Sequence, residues 1–298
     1  MKQLGTASVF LLSVFGLCTA ACGSSSQPPA PPPAAPQASQ VPPSDVVSKP
    51  AEASSAAPVT PAPEEHAKQP PHWHYEGAEG PAKWGELAAE WEKCKTGTEQ
   101  SPVDLPKAGE PHGKTPLAVN YHALPLEILN NGHTVQVAGI SGGKLTLDGK
   151  DFELQQFHLH APSEHTVASV VYDGELHLVH KSASGELAVI GILLKKGKEN
   201  KTLAPVFAAA PKEEGHDAKP VAGAQIELAK LVPAKASYYT YSGSLTTPPC
   251  SEGVHWFVLK QPVEVSEAQL QKFKDVIHGG NARPVMPLGA RKVLEVRP

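Results

Sequence analysis

Gln156-Phe157-His158-Leu159-His160 decides how this chain folds and what it can do. Side chains of a β-strand alternate faces, so Gln156, His158 and His160 share one face while Leu159 turns to the other. A second stretch, Glu175-Leu176-His177-Leu178-Val179-His180, repeats the pattern with Glu175, His177 and Val179 on one face. His180 falls on the opposite face and reads as structural. An imidazole from this second strand, His177, completes a facet of three nitrogen donors with His158 and His160. Three protein ligands leave the fourth tetrahedral position of a zinc ion for water, the arrangement of a catalytic site; four filled positions make a structural one. Gln156 and Glu175, each two residues before a ligand, are placed to hold the second ring nitrogen, which fixes the tautomer and raises the basicity of the ring.

Outside these strands the 298 residues divide sharply. Residues 1–21 read as an export signal, with Lys2 giving a positive start, a mostly apolar run from Leu4 to Leu17, and small residues at Thr19-Ala20-Ala21. The run is shorter than the ~20 apolar residues of a membrane span. Thr19-Ala20-Ala21-Cys22 resembles a bacterial lipobox, which implies lipidation at Cys22 and a membrane anchor; ordinary signal cleavage nearby is the alternative. Residues 22–71 carry 14 of the 31 prolines, and from Gly23 onward they contain no Leu, Ile, Phe, Tyr or Trp. Such a stretch cannot bury enough apolar surface to offset chain ordering and is expected to stay solvated, His66 included. In polyproline II form it would hold a domain on the order of 100 Å from an anchor.

Residues 72–298 suffice for one sizeable core. A formal net charge of -4 leaves no basic footprint for nucleic acid. Of four cysteines, Cys18 and Cys22 belong to the export region, so Cys94 and Cys250 are the pair available to a domain in an oxidising compartment. A disulfide is expected, two separate buried thiols being the alternative. Strands are expected at Leu126–Leu129, His133–Val137, Lys144–Leu147, Phe152–His160, Glu175–His180, Leu187–Leu194 and His255–Leu259, with Asp148-Gly149 as a hairpin turn. Helices are fewer: Ala82–Lys93, Leu203–Ala210 and Ser266–Val276, the last capped by Ser266. The fold class is mainly β with short peripheral helices.

Several motifs occur together and in a fixed order: Gln100-Ser101-Pro102-Val103-Asp104-Leu105, Asn131-Gly132-His133, Gln156 to His160, Ser163-Glu164-His165-Thr166, Glu175 to His180, Leu187 to Gly191, Tyr241 to Cys250, and Asn281-Ala282-Arg283-Pro284. In this order they resemble the α-class carbonic anhydrases, secreted bacterial members in particular, over about three quarters of the chain. The resemblance implies a central, twisted, largely antiparallel sheet of about ten strands and a zinc ion at the bottom of a cone-shaped cleft. It implies reversible hydration of carbon dioxide to bicarbonate and a proton. His158, His160 and His177 then bind Zn2+, and the zinc-bound water, whose pKa of about 7 is the value established for carbonic anhydrase itself, supplies hydroxide.

Further roles come with the resemblance. Thr246 matches a gatekeeper that accepts a hydrogen bond from the nucleophile and donates to Glu164, and Thr247 lines the bicarbonate side. Carbon dioxide is apolar, so a hydrophobic wall of Val179, Val189, Leu245 and Trp256 is expected beside the metal. His133 matches a proton shuttle, a role suited to an imidazole that titrates near neutrality. Asn281 joins Gln156 and Glu175 behind the ligands. The Ser242–Ser244 stretch reads as a turn and scaffold. His72, His74, His112, His122, His216, His255 and His278 read as surface or packing residues. A homodimer is a further expectation, since secreted bacterial relatives are often dimers.

Two other readings compete. One is a catalytically silent surface lipoprotein using the same domain to hold zinc or an adhesion partner; zinc stoichiometry and sulfonamide-sensitive hydration of carbon dioxide separate it from the enzyme. The other is a zinc hydrolase acting on esters, which can coexist with the first activity.

Overall fold

Leu187-Ala188-Val189-Ile190-Gly191-Ile192-Leu193-Leu194 is apolar without a break, as a strand covered on both faces must be. In the structure, a computed structural model that describes residues 71–139 and 142–298, it forms the Leu187–Lys196 strand in the middle of the main sheet. The export segment, Cys18, Cys22, His66 and all but the last residue of the 22–71 linker lie outside the described residues.

Alternation divides the central strand between two cores. Ala188, Ile190, Ile192 and Leu194 pack on one face with Phe157, Leu159, Leu176 and Leu178. Val189 and Leu193 pack on the other with Tyr241, Val254, Trp256 and Val258. The main sheet is twisted and has 12 strands. Its path runs Lys219–Ile226, Leu124–Asn130, Val135–Ala138, Lys150–His160, Gly174–Ser182, Leu187–Lys196, Glu252–Val265, Tyr238–Ser244, Leu294–Val296 and Glu110–Pro111. Gly143–Leu147 branches from Lys150–His160 and pairs with Ala118–Tyr121. Only two of these pairings are parallel: Leu187–Lys196 with Glu252–Val265, and Leu294–Val296 with Glu110–Pro111. The mainly β, largely antiparallel architecture expected from the sequence is the one observed.

Local chemistry sets the boundaries. Asp148 and Gly149 both take positive φ, 48° and 78°, the combination a two-residue hairpin turn of matching twist requires. The strand expected from His133 starts at Val135 instead, because Asn131 Oδ1 accepts from the His133 and Thr134 amides and closes a turn. Ser266 caps the Glu267–Ile277 helix reciprocally with Gln269.

Two segments differ from expectation. A single helix over Ala82–Lys93 is replaced by one-turn pieces at Trp84–Leu87, Ala89–Trp91 and Lys93–Thr96, separated by extended backbone at Ala88. A continuous helix would hold residues 85 and 95 about 15 Å apart. Here the chain doubles back so closely that a Cβ on Gly85 would lie 2.5 Å from Lys95 Cβ. Ser242–Ser244 belongs to the Tyr238–Ser244 strand and is not a turn. Its small residues serve close approach: Ser244 N donates to Ser101 Oγ at 3.1 Å, and a Cβ on Gly243 would collide with that same oxygen.

Candidate metal centre

Register brings the histidines together. In the antiparallel pairing of Lys150–His160 with Gly174–Ser182, His177 stands opposite His158 and Glu175 opposite His160. The three rings meet with centroids 4.5–5.2 Å apart, and one ligand nitrogen from each lies within 4.8 Å of the others.

Second-nitrogen partners decide which nitrogens point inward. His158 Nδ1 lies 2.8 Å from Gln156 Oε1, His160 Nδ1 lies 2.6 Å from the Asn281 carbonyl, and His177 Nε2 lies 3.0 Å from Glu175 Oε1. A carbonyl, an amide oxygen and a carboxylate can only accept, so each ring donates through that nitrogen. The remaining lone pairs, on His158 Nε2, His160 Nε2 and His177 Nδ1, face one another. Burial holds all three rings below the usual imidazole range, His160 at about 4, so they stay neutral and able to bind a cation.

Glu175 is fully buried and accepts four hydrogen bonds. Oε1 takes His177 Nε2 and His165 Nδ1 (2.7 Å), and Oε2 takes the Glu164 and His165 amides (3.0 and 2.8 Å). Burial alone would push its carboxyl up, but the two imidazoles and their hydrogen bonds hold it well below the usual carboxylate range. His165 Nε2 in turn accepts from Tyr241 OH (2.6 Å), which accepts from Ser101 Oγ (2.9 Å).

Glu164 has the opposite character. Burial pushes it up to about 7, against the pull of His177, the Arg283 amide and the Thr246 hydroxyl. Oε1 accepts from Arg283 N at 2.9 Å. Oε2 has no partner, and it lies 3.5 Å from His160 Nε2 and 3.8 Å from His177 Nδ1. No hydrogen bond of ordinary geometry joins Thr246 to this carboxyl, although Thr246 is buried beside it. His160 Nε2 is the other buried polar atom without a partner among the described residues. Each such atom costs about 1–3 kcal/mol if left unpaired. Two of them, facing one point with two further imidazole lone pairs, are the donor set a zinc ion and its water would satisfy. Tetrahedral zinc with ~2.0–2.1 Å bonds asks for nitrogens roughly 3.4 Å apart, well inside the observed bound.

Val179, Val189, Leu245 and Trp256 belong to one apolar cluster. Val189 and Trp256 are buried, with Trp256 packed edge-on to His177 at 4.9 Å, while Val179, Leu245 and Thr247 remain half-open. Asn281 does more than hold His160: its side chain also bonds the Ala161 amide and the Leu159 and His133 carbonyls. His133 stacks on Trp73 with centroids 3.7 Å apart and planes 9° from parallel. Burial, together with the positive potential of His72 and His74, lowers it to about 4.

Cys94 and Cys250 form a disulfide. It anchors the loop that follows Thr246, where Cys250 N donates to Thr247 O at 2.8 Å. Arg283, whose role the sequence reading missed, ties this corner together. Its buried guanidinium donates to Gln100 Oε1, Ser101 O and Cys94 O, while its amide holds Glu164. Gly191 was also missed: it stands opposite His177 in the register, and a Cβ there would lie 2.9 Å from Glu175 Oε1. Tyr75, half-buried and edge-on to Trp73 and Trp84, lies within the field of Glu164.

Residues 79–297 match the family model described as eukaryotic-type carbonic anhydrase. The chain is 45% identical over 226 residues to a carbonic anhydrase of Klebsiella pneumoniae, covering 75% of this chain and 91% of that protein. A carbonic anhydrase of a Nostoc strain is 45% identical over 228 residues, 75% of this chain and 86% of that one. Among solved structures, the α-carbonic anhydrase of Thermovibrio ammonificans in complex with sulfanilamide aligns with a TM-score of 0.71 and 46% identity, over 75% of this chain and 99% of that one.

Proposed function

Because the chain belongs to the eukaryotic-type, or α, carbonic anhydrase family and is an enzyme of that kind, we propose that it hydrates carbon dioxide reversibly at a Zn2+ ion held by His158, His160 and His177. The observation that carries this reading is the set of three tautomers, each fixed by an acceptor so that the free lone pairs converge. When bound, the ion supplies Lewis acidity, enough in carbonic anhydrases to lower the pKa of a coordinated water to about 7.

The chain's own residues do the rest. Gln156, Glu175 and the Asn281 carbonyl orient the ligands. Thr246, buried beside Glu164 but not bonded to it here, would turn its hydroxyl proton toward that carboxyl when the ion is bound, leaving its oxygen lone pairs to accept from the reacting water and to aim that water at the substrate carbon. Val179 and Leu245, backed by Val189 and Trp256, offer carbon dioxide an apolar surface and keep other water away, and Thr247 borders the product side. His133 takes the released proton outward; for that it must leave the Trp73 stack, since an imidazole held at about 4 is a poor acceptor at neutral pH. The disulfide supports placement in an oxidising compartment. No helix among the described residues is long and apolar enough to cross a membrane. A lipid on Cys22 would provide an anchor, and mass spectrometry of the mature N-terminus would reveal it.

Zinc content and carbon dioxide hydration of His158→Ala test the assignment. Loss of both is expected. Full zinc occupancy in that variant would overturn the ligand set, and intact zinc with no hydration in the parent protein would favour the silent zinc-binding alternative.

A further inference from the structure

We infer that His72, His74 and Glu79 form a second divalent metal site, separate from the catalytic histidines and selective for ions that accept mixed nitrogen and oxygen donors. His72-Trp73-His74 repeats the spacing of the catalytic pair, with the indole turned inward and the two imidazoles exposed. Trp73 is anchored from both sides, stacked on His133 and edge-on to Trp84 at 5.0 Å, so its neighbours are held outward together. Their rings lie 4.5 Å apart.

The carboxylate is delivered by a closed loop. His74 N donates to Glu79 O at 3.0 Å, and the indole N–H of the fully buried Trp84 donates to both the His74 and Glu79 carbonyls, at 2.9 and 3.1 Å. Gly77, at φ 71°, makes the bend that returns Glu79 beside His74. The result is Glu79 Oε2 3.6 Å from His74 Nε2 and 3.9 Å from His72 Nδ1, with one donor atom from each residue within 4.8 Å of the others. Two imidazoles and one carboxylate suit zinc, copper or nickel, and suit magnesium or calcium poorly, since those take oxygen donors. Backbone hydrogen bonds already hold the two segments together, so little chain ordering remains to oppose binding.

The test is calorimetric titration of the zinc-loaded full chain with Zn2+, with Mg2+ as the control ion. One further Zn2+ per chain is expected and no Mg2+. His74→Ala and Glu79→Gln should each weaken the added site by at least the 10–100-fold that loss of a supporting ligand contact costs. Both should retain the first zinc equivalent by elemental analysis. His158→Ala should show the reverse pattern, losing the first equivalent and keeping the second, so failure of one site is distinguishable from failure of the other. No second equivalent in the parent chain, or unchanged affinity in both His74→Ala and Glu79→Gln, would overturn the inference.

Discussion

Glu175 Oε1 lies 3.0 Å from Nε2 of His177, and both groups are buried. Because that carboxylate only accepts, the ring must donate to it, which leaves Nδ1 as the nitrogen free for a metal. Glu175→Gln removes the charge and sets an amide N–H against donors, whichever way the side chain turns, because every contact of Glu175 is a donor. Zinc affinity should fall 10–100-fold, with roughly 1–3 kcal/mol of stability lost. Competition with a chelator and a denaturant titration measure the two; unchanged zinc affinity would show that the carboxylate does not set the His177 tautomer.

Gly191 makes room for the same oxygen. A methyl group there would stand 2.9 Å from Glu175 Oε1, and a carboxylate fixed by four donors cannot step aside cheaply. Gly191→Ala is therefore expected to cost about 1–3 kcal/mol and to weaken zinc binding without touching a ligand. If thermal stability and zinc affinity both matched the parent protein, the tight fit would be refuted.

These two residues mark the boundary of what the sequence reveals. The convergence of the three imidazoles was legible because strand alternation is a local rule, and Gln156 and Glu175 lie on the same strands as the rings they hold. Asn281 was placed behind the ligands by resemblance, yet its carbonyl contact to His160 spans 121 positions. The Arg283 amide reaches Glu164 across 119, which no periodicity predicts. Composition also misled at Ser242–Ser244, where small residues mark the crossing of Ser101 and not a turn. The helix expected over Ala82–Lys93 failed similarly: its apolar pattern reports burial of Trp84, Trp91 and Cys94 in a small core with Cys250, reached by a chain that doubles back.

The Cys94–Cys250 bridge closes a loop of 156 positions. Loop entropy allows up to ~5 kcal/mol for such a length, though 2–4 is usual. Reductant should lower the melting temperature of the mature protein, and alkylation without reductant should leave Cys94 and Cys250 unlabelled in a peptide map. Labelling of both Cys94 and Cys250 in the untreated protein would exclude the bond.

Acid should destabilise the metal-free protein. His133, His160 and His180 are each lowered to about 4 with burial as the leading cause, whereas an unfolded imidazole titrates near 6.5. Between those values the unfolded chain binds more protons, so the stability these histidines contribute is complete above about pH 6.5 and is lost as pH falls toward 4. Glu164, raised to about 7, works the other way: its contribution is present below about 4.5 and is lost as pH rises toward 7. Three imidazoles against one carboxyl set the net direction. Melting temperatures of chelated protein from pH 7.5 to 4.5 should decline, and a flat profile would contradict the burial of neutral rings.

His133 and Trp73 make the sharpest case for a conformational requirement. Stacked at 3.7 Å, the imidazole is held at about 4, with burial the main cause and His72 and His74 adding positive potential. Trp73→Ala removes the indole face, exposes the ring and should raise its pKa toward 6.5, short of it by whatever His72 and His74 still impose. Imidazole proton shifts in a pH titration by NMR read this directly. Proton transfer improves as the acceptor approaches working pH, so turnover in weak buffer should rise in the same variant, while added imidazole should help it less than the parent. A pKa that stays near 4 without Trp73 would mean that the stack does not hold the ring down, and the requirement that His133 leave it would fall.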